Sequence, residues 1–224
     1  MKSRNLILNL FFLVIAAGQL FGSWHDIKSI EYAFKPLILI WITVYFLLNT
    51  GPAPYRKLVL LAFFFSWVGD LLLMFAWKHD LFFFAGVGGF FASQVAYIQA
   101  FRKFAVSDEK GFVARKPIWI LPFGFYLVFI FFLILPGLEG IMIPVVFLYA
   151  VSLIGMSVAA LNRYQRVDSN SFGLMFSGSL LFLVSDSLLA YNRFVTEIPN
   201  GGFWVMLTYI GAQYLIMQGL CRDA

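Results

Sequence analysis

Short polar breaks divide the sequence into apolar runs of about membrane length, and no other feature limits its fold as severely. A helix needs about 20 residues to cross the hydrocarbon core, with a range of about 17 to 25. Eight segments meet or approach that length: 6–22, 34–49, 58–77, 81–101, 118–136, 141–161, 172–191 and 203–220. Composition agrees, since 62% of residues are hydrophobic and only 12% charged, against about a quarter charged in soluble domains. The expected fold is all-α: one polytopic membrane domain of eight transmembrane helices over residues 1–224, with no room for a soluble domain. Lys2 and Arg4 before an apolar stretch and Ala16-Ala17-Gly18 also fit a cleavable signal peptide. Retention as the first helix is the expectation.

A net charge of +5 raises nucleic-acid binding, but the basic residues lie in short loops where they orient helices. With the N-terminus inside, Lys2, Arg4, Arg56, Lys57, Arg102, Lys103, Lys110, Arg115, Lys116, Arg163, Arg166 and Arg222 are cytoplasmic, twelve of sixteen Lys and Arg. Lys28, Lys35, Lys78 and Arg193 fall on the other side. That bias predicts both termini in the cytoplasm. Gly51-Pro52-Ala53-Pro54, Pro136-Gly137 and Asn200-Gly201-Gly202 break the chain at the expected borders. The single cysteine, Cys221, excludes an internal disulfide and a Cys-based metal site.

Two short patterns recur. Gly69-Asp70-Leu71-Leu72-Leu73 in the third helix matches Ser185-Asp186-Ser187-Leu188-Leu189 in the seventh, and in the helix after each, Gln94 and Gln99 match Gln213 and Gln218. One reading is a parallel duplication of a four-helix unit with halves 1–110 and 111–224, which would bring Asp70 and Asp186 together near a pseudo-twofold axis. The other is chance similarity between Leu-rich segments.

An aspartate at the centre of a membrane helix costs about 2.5 to 3.5 kcal/mol on insertion scales, so its presence calls for compensation or function. At 1.5 Å per residue both aspartates lie roughly 8 to 10 Å below the extracytoplasmic boundary, a depth at which they can share a cavity. Two carboxyls in one shielded cavity retain one proton between them, which supplies an acid and a base for cleavage through an oxocarbenium-like state. The structural alternative is a helix-to-helix hydrogen bond from an aspartate to Ser66, Ser187 or Tyr209. Lys35 and Arg193 on the same side are candidates for holding a lipid phosphate, against simple snorkelling. His25 and His79, the two histidines, fall in loops, so a zinc hydrolase lacks its ligands.

The segments Phe65-Ser66-Trp67-Val68-Gly69-Asp70-Leu71-Leu72-Leu73-Met74 and Leu183-Val184-Ser185-Asp186-Ser187-Leu188-Leu189-Ala190-Tyr191-Asn192-Arg193-Phe194 resemble the signatures of the lysoplasmalogenase, or YhhN-like, membrane family. Lys35-Pro36 opening helix two and Tyr209 to Gln213 in helix eight add to the likeness. The resemblance implies an eight-span hydrolase acting on the vinyl ether of a lysoplasmalogen, giving a fatty aldehyde and glycerophospho-ethanolamine or -choline. It implies catalytic roles for Asp70 and Asp186 and substrate contacts from Lys35, Tyr209, Gln213, Asn192, Arg193 and Gln94, with no cofactor and no metal. Gln94 stands where the family pattern leads us to expect a histidine. The expected partners are a lysophospholipid substrate and membrane lipids, with no nucleic acid and no obligate protein partner. The expected location is the cytoplasmic membrane in a bacterium or the endoplasmic reticulum in a eukaryote.

Two other classes compete. A transporter or proton-coupled carrier for a small amphipathic molecule would also use repeated halves and intramembrane acids. An intramembrane aspartyl protease would need Gly-x-Gly-Asp, and Trp67 stands where its first glycine belongs. A receptor or scaffold without catalysis is a further reading.

Overall fold

Lipid offers backbone amides no partner, so apolar segments close their hydrogen bonds within helices. The computed structural model describes residues 2–103 and 110–222. Among these the helices are α1 (Lys2–Trp24), α2 (Lys28–Asn49), α3 (Arg56–Leu73), α4 (Asp80–Lys103), α5 (Phe112–Arg115), α6 (Leu121–Ile134), α7 (Met142–Leu161), α8 (Ser169–Phe194) and α9 (Gly201–Arg222), with no strand. The ends of the expected domain, Met1 and 223–224, and the segment 104–109 beside the expected border between repeats lie outside the described residues.

Six segments are long and apolar enough to cross a membrane: Ser3–Trp24, Lys28–Asn49, Asp80–Lys103, Pro117–Gly137, Met142–Leu161 and Ser169–Phe194. The fourth joins α6 to 3-10 turns at Pro117–Ile120 and Leu135–Gly137. The other long helices, α3 and α9, bury Val59, Ala62, Phe63 and Ser66, and Tyr209, Ala212, Gln213 and Ile216, respectively.

The bounds of three helices differ from expectation in ways that bear on the candidate site. Helix α2 begins at Lys28 and continues through Pro36, so Lys35-Pro36 does not open the helix as expected. A proline well inside a helix removes one amide but need not end it where neighbouring helices hold the chain. Lys35 therefore lies two turns inside α2, not at its mouth. Helix α3 ends at Leu73 and the chain passes to turns at 74–78, which leaves Asp70 in the last turn of the helix and not deep within a span reaching Trp77. At α8, the Asp168 carboxylate accepts from the amides of Asn170 (2.8 Å) and Ser171 (3.1 Å). This N-cap starts the helix three residues earlier than expected, and the helix also runs on to Phe194, which places Asn192 and Arg193 in its final turn.

Small residues set how closely the helices around the aspartates pack. A Cβ on Gly69 would stand 2.7 Å from the Phe90 ring and 3.1 Å from the Gly86 carbonyl, so the glycine before Asp70 is what lets α4 lie against α3. Gly178 plays the same part between α8 and α9, where a Cβ would stand 2.9 Å from the Ala212 carbonyl. Such contacts replace the hydrophobic drive that lipid removes. Phe46, Phe63, Tyr97, Phe101 and Phe182 fill the interior, while Leu6, Ile7, Phe125, Phe129 and Phe132 lie on the outside, the pattern of a bundle whose surface meets hydrocarbon.

Candidate active site

A cavity of about 640 Å³ opens at the end of the bundle where α1 turns into α2 and α8 leaves for α9. Asp70 of α3 and Asp186 of α8 both line it, with Lys35, Asn192, Arg193 and Tyr209. Six of the eight site residues expected from sequence thus share one chamber. Gln94 and Gln213 lie behind its wall, each hydrogen-bonded to a lining residue.

The two carboxyls have different surroundings. Asp70 is 2% exposed. Its Oδ1 is 3.7 Å from the Lys35 ammonium, and its Oδ2 accepts from the Tyr209 hydroxyl at 2.7 Å. The orientation of that hydroxyl is set from behind. Gln213 accepts from Tyr97 (2.6 Å) and donates through Nε2 to Ser66 (3.1 Å) and Tyr209 (3.3 Å). Ser93 donates to the Ala62 carbonyl (2.8 Å), so Ser66, 2.7 Å from Ser93, is the donor of that pair. The branch Tyr97–Gln213–Tyr209 directs its last proton to Asp70, as suits a carboxylate, while the Ser66–Ser93 branch ends on the Ala62 carbonyl.

Among the described residues Asp186 meets no cation. Its Oδ2 accepts from the Tyr149 hydroxyl of α7 at 2.5 Å and from Gln94 Nε2 of α4 at 3.4 Å, and Ser152 in turn donates to Gln94 Oε1. Oδ1 has no hydrogen-bond donor among the described residues. With both donors on one oxygen, the other is free to carry a proton and present it to the cavity.

Sequence reasoning missed Tyr149 and Ser152. They are two of the few polar side chains in α7, one turn apart, and that isolation was the available signal. Of the structural alternatives weighed for the aspartates, Tyr209 does bond Asp70, whereas Ser187 pairs with Tyr126 (2.8 Å) and Ser66 with Ser93 and Gln213. The two glutamines cross over: Gln94 follows Asp70 in the chain but bonds Asp186, and Gln213 follows Asp186 but supports the partner of Asp70.

At the mouth, Arg193 is 2.8 Å from Asp80 and its guanidinium lies 5.1 Å from the Phe83 ring centre. Asn192 Oδ1 accepts from the Ile198 amide at 2.7 Å and so holds the loop into α9. His79 Nδ1 accepts from the Leu81 amide at 3.0 Å. Among the described residues no three His, Cys, Asp or Glu side chains are grouped to hold a metal ion.

The model of the YhhN family matches residues 30–220, a stretch that contains both aspartates and every residue named above as their partner. No solved structure matches the chain.

Proposed function

The chain belongs to the YhhN family, and for a member with this cavity we propose an integral-membrane ether hydrolase that cleaves the vinyl ether of a lysoplasmalogen or related lysolipid. Eight spans with both termini cytoplasmic complete the reading, α3 and α9 crossing with the six more apolar segments. The observation that carries it is a pair of carboxyls in one cavity, one facing a cation and a hydroxyl donor that favour its anion, the other without a cation among the described residues.

In this mechanism Asp186 is the acid and Asp70 the base. The Asp186 proton goes to the vinyl carbon remote from oxygen, and the C=C electron pair forms the new C–H bond. The cation left on the ether carbon and oxygen is stabilised by the Asp70 carboxylate. Water adds to the ether carbon while Asp70 takes its proton, giving a hemiacetal. Breaking the C–O bond to the glycerol then releases aldehyde and alcohol. The hemiacetal O–H proton returns to Asp186, and the proton on Asp70 passes to the departing glycerol oxygen, so both carboxyls regain their starting states. Tyr149 and Gln94 orient the acid; Lys35 and Tyr209 hold the base.

The competing carrier reading needs a path from the cavity to the far side. Ser66, Ser93, Tyr97 and Gln213 are fully buried beneath the aspartates, with Phe63 and Phe101 beyond, and this closed floor supports the hydrolase. The test is purified protein incubated with lysoplasmalogen and, separately, with an acyl lysolipid. Free aldehyde is expected from the first and no fatty acid from the second, with Asp70→Asn and Asp186→Asn each lowering the rate of aldehyde release by about 10²- to 10⁴-fold while remaining folded. Full turnover in either variant would remove the assignment.

A further inference from the structure

The cavity extends beyond the aspartates to a polar ladder that the mechanism does not use. Gln19 of α1 is fully buried and lines the cavity. Its Nε2 donates to Ser23 Oγ at 3.0 Å, and Ser23 donates to Glu31 Oε1 of α2 at 2.7 Å. The serine has one proton and gives it to the carboxylate, so the amide of Gln19 must present N–H to the serine. The Gln19 carbonyl is thereby left without a donor, beside a glutamate that also lines the cavity. Glu31 is only partly neutralised from within. Lys28 lies 3.5 Å from it but 2.7 Å from Asp26, and is more than half exposed.

One end of the cavity thus holds a buried carbonyl with no donor among the described residues, beside a carboxylate that has one serine donor and a half-exposed lysine, a setting that favours a cation with N–H to give. Glu31 precedes Lys35 by one turn on the same face of α2, about 6 Å toward the mouth. Glu31 thus lies outward of the Lys35–Asp70 pair, on the side to which a zwitterionic lysophospholipid with its ether at the aspartates would extend its ammonium. We propose that Gln19 and Glu31 form a subsite for a protonated primary amine, the ethanolamine end of such a lipid, and that the chain prefers this head group to its N-trimethylated counterpart.

A trimethylammonium group has no N–H to give the Gln19 carbonyl. Its alternative is the face of an aromatic ring. Of the aromatic residues that line the cavity, Trp77 already has the Lys78 ammonium 5.4 Å from its ring centre and its Nε1 tied to the Tyr32 hydroxyl at 3.1 Å, and Phe83 has the Arg193 guanidinium at 5.1 Å.

The inference rests on the lysolipid reading above, so its test separates binding from chemistry. Saturated 1-O-alkyl glycerophosphoethanolamine and glycerophosphocholine contain no vinyl group, and their binding to the full-length protein can be measured by titration calorimetry. The ethanolamine lipid is expected to bind about tenfold tighter, the size of one charge-assisted hydrogen bond. Glu31→Gln keeps a carbonyl for Ser23 and so preserves the ladder; it and Gln19→Met should each weaken the ethanolamine lipid about tenfold while changing the choline lipid by less than twofold. Equal losses for both lipids, or no loss for either, would overturn the subsite. The kcat/KM ratio for the two vinyl ether substrates should fall by the same factor in Glu31→Gln. Binding preference without aldehyde release would retire the proposed reaction but keep the amine subsite; aldehyde release with a head-group ratio unmoved in Glu31→Gln would do the reverse.

Discussion

Replacing Lys35 with methionine keeps most of the side-chain volume and removes the only cation within ion-pair distance of Asp70 among the described residues. At 3.7 Å the Coulomb attraction is about 4.5 kcal/mol for an effective dielectric constant near 20. The net value is smaller, because the lysine is 16% exposed and Tyr209 still donates to the carboxylate. We expect a loss of about 2 to 3 kcal/mol of transition-state stabilisation, a fall in kcat/KM of about 30- to 150-fold. The assay is the initial rate of aldehyde release with Lys35→Met, Asp70→Asn and the double variant, because a double-mutant cycle isolates the coupling of the pair. If the lysine acts by stabilising the Asp70 anion, Lys35→Met added to Asp70→Asn costs less than threefold more. Fully additive losses would show that Lys35 acts elsewhere, for instance on the phosphate, and would refute the division of the two aspartates into acid and base.

Tyr149→Phe deletes the shorter of the two donors on Asp186 and keeps the ring; kcat for aldehyde release should fall about 10- to 100-fold with KM little changed, and an unaltered kcat would exclude Tyr149 from orienting the acid. Gly69→Ala forces a methyl against Phe90 and the Gly86 carbonyl, and a loss of about 1 to 3 kcal/mol should lower the thermal melting point in detergent by several degrees; an unchanged melting point would mean that the α3–α4 seam yields freely. Asp168→Ala removes the N-cap of α8 far along the helix from Asp186, so about 1 kcal/mol of stability should go while the specific activity of the folded protein stays within twofold of the parent.

The helical class, the approximate spans and the two aspartates were all legible in the chain, since each depends on residues close together in sequence. Apolar run length announces a helix that must satisfy its own backbone, and an ionisable residue within such a run stands out against its neighbours. Boundaries were read less well. Pro36 looked like a helix start because prolines usually are one, but helix packing carried α2 past it. That shift moved Lys35 from a rim residue to the partner of Asp70.

By itself, then, the sequence determined that this chain is a helical membrane protein of the YhhN type with an acid side chain toward the C-terminal end of each of two helices. Only the tertiary structure decided which groups each acid meets. Tyr209 is 139 residues from Asp70 and Gln94 is 92 from Asp186, separations over which helical periodicity says nothing about rotation or neighbour choice. Those are fixed by close contacts such as Gly69 on Phe90 and Gly178 on Ala212, where the absence of a side chain on one helix sets the angle and depth at which another can lie.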